Sequence, residues 1–584
     1  MSSAMTAQAT RAVFGRLGRG ASNALREARR CLAVRQPDRG LSSDAGEHVV
    51  LPADSNQALG LANYAIDFLG SGSPSPAVLA RTNLFFTDAM LCATSAIALG
   101  TNAPTVLRRE ALRYPADAAP SGIHGVPLLG SAHKVYPEKA ILANCAATRE
   151  WDSNGTNFGF NPKLGHVAGE FGHPDFFPVA VAAAQAAGGD GAFALRAMVL
   201  IEEIRCRLGE VFSLKTYKID HVVHGAIATA AVYGAALGAT PAQIESAIGL
   251  VVAHYIPFRA IRAGKQLSDS KGSSSAISSE VAAVAVHRAM DGFQGPKDVF
   301  RNPEAIFRLF EGPAQMLQAV KDPKPWVPTA DASPFLLSLG MKGDDFAVLG
   351  EHFKLGLYEH QSAGAIQGVL DLLANNASLL GAKDGTDAHI DRIDITAYEP
   401  AFGIIGDPAK KNPTTRQSAD HSMAYIISTL LRKALAATEA GTPAGDLWKQ
   451  LMLSPYDYSA EALANPTTRS LMHKIHFVHG GPEYDALYPD GIPTSLSVDL
   501  AKGERLDSGL VMYPAGHARN VEADLEGILA HKFGMMSGIS AADDAGASDL
   551  VSRFQNMEAK SAGDVQSLFD FDIDYKGDFN DPSG

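Results

Sequence analysis

The chain has 584 residues, 46% hydrophobic and 19% charged, enough to bury a large core in about two domains and far too many for a small disulfide-stapled module. Its 63 acidic against 50 basic residues leave a net charge of −13, which excludes a general nucleic-acid or membrane-surface binder. An anionic ligand would therefore need local positive charge.

The N-terminal segment carries Arg11, Arg16, Arg19 and Arg26 before its first acid, Glu27, with Val13, Phe14, Leu17 and Ala21 near helical spacing. This Arg-rich, acid-poor composition is that of a mitochondrial transit peptide over residues 1–45, with Arg39-Gly40-Leu41-Ser42 as processing site and the matrix as address; a disordered basic tail is the alternative. Residues 55–345 predict a helical domain. Ser75-Pro76 starts one helix with a cap and a first-turn proline, and Thr240-Pro241-Ala242-Gln243 is a capping box followed by Ile244, Ile248, Val251 and Val252 at helical spacing. Gly225, Thr229, Gly234 and Gly238 lie on neighbouring turns and predict close helix packing.

Residues 346–515 change character. Ile393, Ile395 and Ala397 alternate with polar residues, as do Leu496, Val498 and Leu500, and Ile475, Phe477 and Val478 form a third β-like run, with helices predicted at Met423–Leu435 and Gly445–Met452. The expected fold class is mainly α with an inserted α+β domain. Residues 516–562 return to helix through Leu525, Ile528, Leu529 and Phe533 and are expected to rejoin the first domain; residues 563–584 read as a solvated acidic tail. Cys31, Cys92, Cys145 and Cys206 stand more than fifty residues apart, so neither disulfides nor a thiolate-held zinc or iron–sulfur site is expected.

Chemistry concentrates in a few segments. The run from Trp151-Asp152 to Phe171-Gly172-His173-Pro174 mixes glycines with polar groups and predicts a loop whose backbone approaches a ligand. Asp152 and Thr156, four apart, share a face if a helical turn forms there, pairing an acid with a hydroxyl. His166, Glu170, His173 and Asp175 match no standard metal spacing, so a histidine acid or base is the better reading, and neither metal nor cofactor is expected. His221 opens the next Gly/Ala-rich helix, where the positive helix end disfavours its protonation and favours a nearby carboxylate. Arg259, Arg262, Lys265 and Lys271 crowd into thirteen residues and supply the local positive charge; Arg259 and Arg262 are candidate substrate-binding groups and Lys271 is the leading one. His360 stands at the junction of the two domains, where clefts commonly form.

Taken in order, Ser75-Pro76 to Ala98-Leu99-Gly100, the Trp151-Asp152 loop with Thr156 and His173-Pro174, Ile219-Asp220-His221-Val222, Ser268-Asp269-Ser270-Lys271, and Gly516-His517 with Asn520 and Lys532-Phe533 resemble the MmgE/PrpD family. The resemblance implies a helical domain with a smaller α+β lid, an active site between them and a homodimer. It also implies functional roles for Asp152, Thr156, His173, His221, Lys271 and His360. The loop between Thr156 and His173 is longer than in typical decarboxylases of the family, so His166 competes with His173. The expected activity is metal-independent dehydration of the tricarboxylate 2-methylcitrate to 2-methyl-cis-aconitate in propionate catabolism. Decarboxylation of cis-aconitate to itaconate and non-enzymatic binding of small acids are the alternatives.

Overall fold

The computed structural model describes residues 47–116, 124–262, 266–309, 331–381, 386–406, 410–439, 446–577 and 579. The Arg-rich segment 1–45 and Lys265 lie outside these residues. The first helices begin where the sequence places caps. Asn56 accepts from the Leu59 amide ahead of α1 (Gln57–Ser71), and Ser75 accepts from Val78, with Pro76 in the first turn of α2 (Pro76–Ala98). After α3 (Asn102–Ala111) and α4 (Pro137–Glu150) comes an irregular loop, then α5 (Phe177–Ala187), α6 (Gly191–Val211), α7 (Val222–Ala236), α8 (Pro241–His254) and α9 (Asp269–Met290). The Thr240 capping box is complete, with each side chain bonded to the other's backbone amide.

α7 is buried on every side through Gly234, which makes it the central helix of the bundle, with α4 and α8 against α9 and α7 itself against α6 and α9. The small-residue stripe has the packing role expected of it. A Cβ at Gly225 would stand 1.9 Å from the Phe176 ring, so glycine there makes the space that the ring fills.

β1 (His48–Leu51) pairs antiparallel with β2 (Leu337–Gly340), after which the α+β region begins. It contains α10 (Ala363–Asn375), β3 (Ile390–Ala397), α11 (Met423–Glu439), α12 (Pro466–Lys474), β4 (Ile475–His479), β5 (Thr494–Leu500) and β6 (Arg505–Asp507). The strands form one sheet in the order β6-β5-β3-β4, parallel between β3 and β4 and antiparallel elsewhere. The alternation read in the sequence sets which face is buried: Ile393, Ile395, Ala397, Leu496 and Val498 point inward, where α10 and α12 pack on the sheet. The fold is mainly α with a smaller α+β region.

α13 (Leu525–Ser540) and α14 (Asp544–Phe554) pack on α2. The C-terminal tail departs from expectation. Instead of a solvated acidic strand, it starts with a short capped helix at Ala562–Gln566 and buries Val565, Leu568 and Phe569. Its backbone then bonds to Ser131, Ser540 and Ala98. The alternating Phe and Asp residues put rings inward and carboxylates outward, a pattern that counting charges overlooks.

Candidate active site

α4 ends at Trp151, which turns extended while its indole donates 3.0 Å to Ser95 Oγ and packs under the Arg416 guanidinium. That buried anchor aims the next residue, Asp152, at the region between the helices and the α+β part. No helical turn follows. Asp152 and Ser153 sit in a turn, and Thr156 is extended, its backbone paired with His352 while Asn157 pairs with Gly172. The expected shared helical face of Asp152 and Thr156 is therefore absent: the Thr156 hydroxyl donates 2.9 Å to the Gly172 carbonyl and ties the loop together. The tertiary bridge to His352 overrides the local spacing.

Asp152 is fully buried and ringed by cations. Arg149 Nη1 lies 3.0 Å from Oδ1, which also bonds Lys354 Nζ, while Lys271 Nζ and His421 Nδ1 lie 3.3 and 3.2 Å from Oδ2. Lys271 continues to Asp420 Oδ1 at 3.0 Å, and His421 Nδ1 meets the same oxygen at 2.7 Å. Burial pushes the Asp152 carboxyl up, but the charges of Arg149, Lys354 and Lys271 outweigh it and hold the group well below the usual carboxylate range. Burial, seconded by the Arg149 charge, lowers Lys354 below the ordinary lysine value against the pull of Asp152. Asp152, Asp420 and His421 have donor atoms close enough for a metal ion, yet the Lys271 ammonium already bridges both carboxylates, with Lys354 and Arg149 beside it. A dication there would face three fixed positive charges, so this donor set fits an ammonium better than a metal.

His221 caps α7, and its ring meets that of His173 at 5.6 Å, edge to face. His173 Nδ1 lies 3.1 Å from the Gly155 carbonyl, whereas both ring nitrogens of buried His221 lack a hydrogen-bond partner. Burial lowers both histidines well below their ordinary value. Arg149 and Lys354 push His173 the same way; at His221 the Asp220 carboxylate, 3.6 Å from Nδ1, pulls upward, but burial together with Arg262 and Arg259 outweighs it, so both rings are neutral at pH 7. Arg262 grips Asp220 through Nε at 2.5 Å and Nη2 at 3.2 Å and also reaches Ser274 Oγ. Arg259 Nη1 stands 3.9 Å from Asp220 with no hydrogen bond of its own. Two guanidiniums on one carboxylate leave a net positive edge beside His221.

His360 is buried with neither nitrogen partnered, and it senses the charges of Lys354 and Asp152. Of the two competing loop histidines, His166 is bound 3.1 Å from Glu210, itself paired with Arg207, while His173 is the one against His221. The structure thus gathers Asp152, Lys271, His173, His221 and His360 around one charged centre, with Thr156 shaping the loop backbone.

The sequence reading missed Lys354, Asp420, His421 and the role of Arg149. Two signals were available. Asp420-His421 repeats the Asp-His dipeptide of Asp220-His221, and Lys354 is a lone charge between Phe353 and Leu355, an arrangement that a buried position must partner.

The sequence matches the MmgE/PrpD N-terminal domain over residues 60–318. That match supports membership of the MmgE/PrpD family. MmgE/PrpD proteins are generally dehydratases and related lyases, and a dehydratase-like function follows for this member. The matched span holds Asp152, Thr156, His173, His221 and Lys271; Lys354, His360, Asp420 and His421 lie beyond it, and the fold brings Lys354, Asp420 and His421 against Asp152 or Lys271.

Proposed function

We propose that this chain is a hydro-lyase that removes water from 2-methylcitrate to give 2-methyl-cis-aconitate, without a metal, in propionate catabolism. The observation that supports it most is a neutral His221 that makes no hydrogen bond, lies 3.6 Å from Asp220, feels the charges of Arg262, Arg259 and Arg149, and packs on His173, which feels Arg149 and Lys354. The proton lost is next to a carboxylate and weakly acidic; its removal needs a base that is unprotonated at neutral pH and positive charge to steady the enediolate-like transition state. His221 takes that proton, with His173 beside it. Lys271 and Lys354 offset the developing charge, and a proton delivered to the departing hydroxyl from Lys354 completes the loss of one water, with His360 orienting that hydroxyl. Asp152 positions the two lysines.

Decarboxylation of cis-aconitate to itaconate is the second reading, favoured by the same lysines as proton donors to a carbanion. Purified protein given each acid in turn, with and without chelator, separates them. Turnover of 2-methylcitrate that survives the chelator is expected; itaconate formation without 2-methylcitrate turnover overturns the first reading, and chelator-sensitive turnover overturns the metal-free one. We further propose a matrix address carried by residues 1–45, checked by fusing them to a fluorescent protein, and a homodimer, checked by sedimentation.

A further inference from the structure

Beyond His360 the structure holds a row of imidazoles that the proposed chemistry does not use. His352 follows β2 and His517 follows β6, so they flank the α+β region, and the Phe353 amide bonds the Gly516 carbonyl to bring them together. Their rings stack at 4.1 Å and 23°, and His352 stacks on His360 at 5.3 Å and 11°. Phe158 from the Asp152 loop packs against His352, His360 and Tyr488.

The hydrogen bonds decide what these rings offer. The Ala518 amide donates to His352 Nδ1 at 2.9 Å, and the Arg519 amide donates to His517 Nδ1 at 3.2 Å. A nitrogen that accepts from an N–H carries no proton itself, so each neutral ring has its hydrogen on Nε2. Both rings are neutral at pH 7, since burial lowers His352 well below its ordinary value and His517 to about 3. His517 Nε2 is buried without a partner, as are both nitrogens of His360 and the hydroxyl of Tyr488. Leaving so many buried polar atoms unsatisfied costs about 1–3 kcal/mol each, which a ligand would relieve.

We infer that His352 and His517 form a substrate-binding subsite, a pair of fixed Nε2–H donors that hold a carboxylate of the substrate remote from the reacting carbons. Locked donors take an acceptor and reject a group that can only donate, so the subsite takes a carboxylate and refuses an ammonium. Its position on the ring stack beside His360 adds a contact for a further carboxylate, which suits a tricarboxylate better than a dicarboxylate. The inference rests on the proposed function, in that it takes the ligand to be a polycarboxylate.

Calorimetry with unreactive acids tests it without needing turnover. Tricarballylate offers three carboxylates; succinate lacks one of its terminal arms. His517→Phe keeps a flat stacking ring and removes the donor, whereas His517→Gln restores an N–H near the Nε2 position. The expected result is at least a tenfold weaker tricarballylate affinity in His517→Phe, succinate affinity within twofold, and recovery of most of the loss in His517→Gln. Unchanged tricarballylate affinity, or equal loss of both acids, overturns the subsite while leaving the proposed function standing. Failure of the unaltered protein to bind either acid overturns the proposed function and this inference with it.

Discussion

Asp152 takes the charge of Arg149, Lys271 and Lys354 at once, and its value to the protein is electrostatic: it makes burial of two lysines tolerable without spending their positive charge completely. Lys271→Ala leaves Asp420 and Asp152 short of a cation and removes charge from the transition state; turnover is expected to fall by about 10²–10³-fold with KM also raised, measured by steady-state kinetics on folded variant. The pH profile follows from the same groups. His221 and His173 have lowered pKa values, so the base stays unprotonated as pH drops through 6.5, and the acid limb of kcat/KM is expected below that point. Lys354 is lowered as well, so its charge is lost on the alkaline side before an ordinary lysine would lose it. Lys354→Arg, which stays charged, is expected to move the alkaline limb upward; an unmoved limb would show that another group sets it.

At the scale of elements, α13 secures the site from behind. Lys532 Nζ reaches the carbonyls of Ser153 at 2.6 Å and Lys354 at 2.8 Å and pairs with buried Asp88 at 2.6 Å, so a single ammonium joins α2, the Asp152 loop and the segment carrying Lys354. Lys532→Met strands the Asp88 carboxylate and is expected to destabilise the protein by about 3–5 kcal/mol in urea unfolding, with Asp88→Asn in the same chain restoring much of it. Gly356 serves the neighbouring turn. Its φ of +131° and the Leu453 carbonyl 3.0 Å from any Cβ leave room for glycine alone, which lets Ser153 Oγ donate to the Gly356 carbonyl. Element by element the helices and strands were legible because caps and apolar periodicity act within a few residues: Ser75, Thr240 and the alternation around Ile393 each specify their own segment. The turn at Asp152 was not, because its conformation is set by backbone pairing of Thr156 with His352, on the far side of the chain.

Over the whole molecule, burial of neutral histidines makes stability sensitive to acid. His173, His221, His224, His352, His360, His421 and His517 all have lowered pKa values, burial being the largest cause in each. Between pH 6.5 and 4.5 the unfolded chain protonates these rings and the native protein does not, so each withdraws up to about 1.4 kcal/mol per pH unit as acid is added. Asp88, Glu170, Glu202 and Asp371, all raised, and Glu359, raised to about 7, act with the opposite sign, holding protons in the native state more readily than in the unfolded one. The lowered histidines, which also include His531, outnumber the raised carboxyls, so the thermal midpoint is expected to fall steadily from pH 6.5 to 5; a flat midpoint over that range would contradict the assignment of neutral buried rings. The tail belongs to the same scale. Phe569 is fully buried and its carbonyl accepts from Ser131, so Phe569→Ala is expected to cost about 3–5 kcal/mol in the same unfolding measurement, whereas a solvated tail would register no change.

What the sequence by itself determined is local: where helices start, which strand faces are apolar, which loop is rich in glycine and polar groups, and that the chain is acidic with a cationic run near Lys271. Its motifs also pointed to Asp152, Thr156, His173, His221 and Lys271 as candidate site residues, and its domain junction pointed to His360. Only the tertiary structure decided that Asp152 meets Lys354, 202 positions along the chain, and that Lys271 meets Asp420, 149 positions along. The same holds for the choice of His173 over His166 beside His221, and for the stacking of His352 on His517 across the inserted region. The reason is physical: secondary structure depends on neighbours a turn away, while a buried charge is neutralised by whichever partner the packing of distant elements delivers, and that delivery leaves no periodic trace in the order of residues.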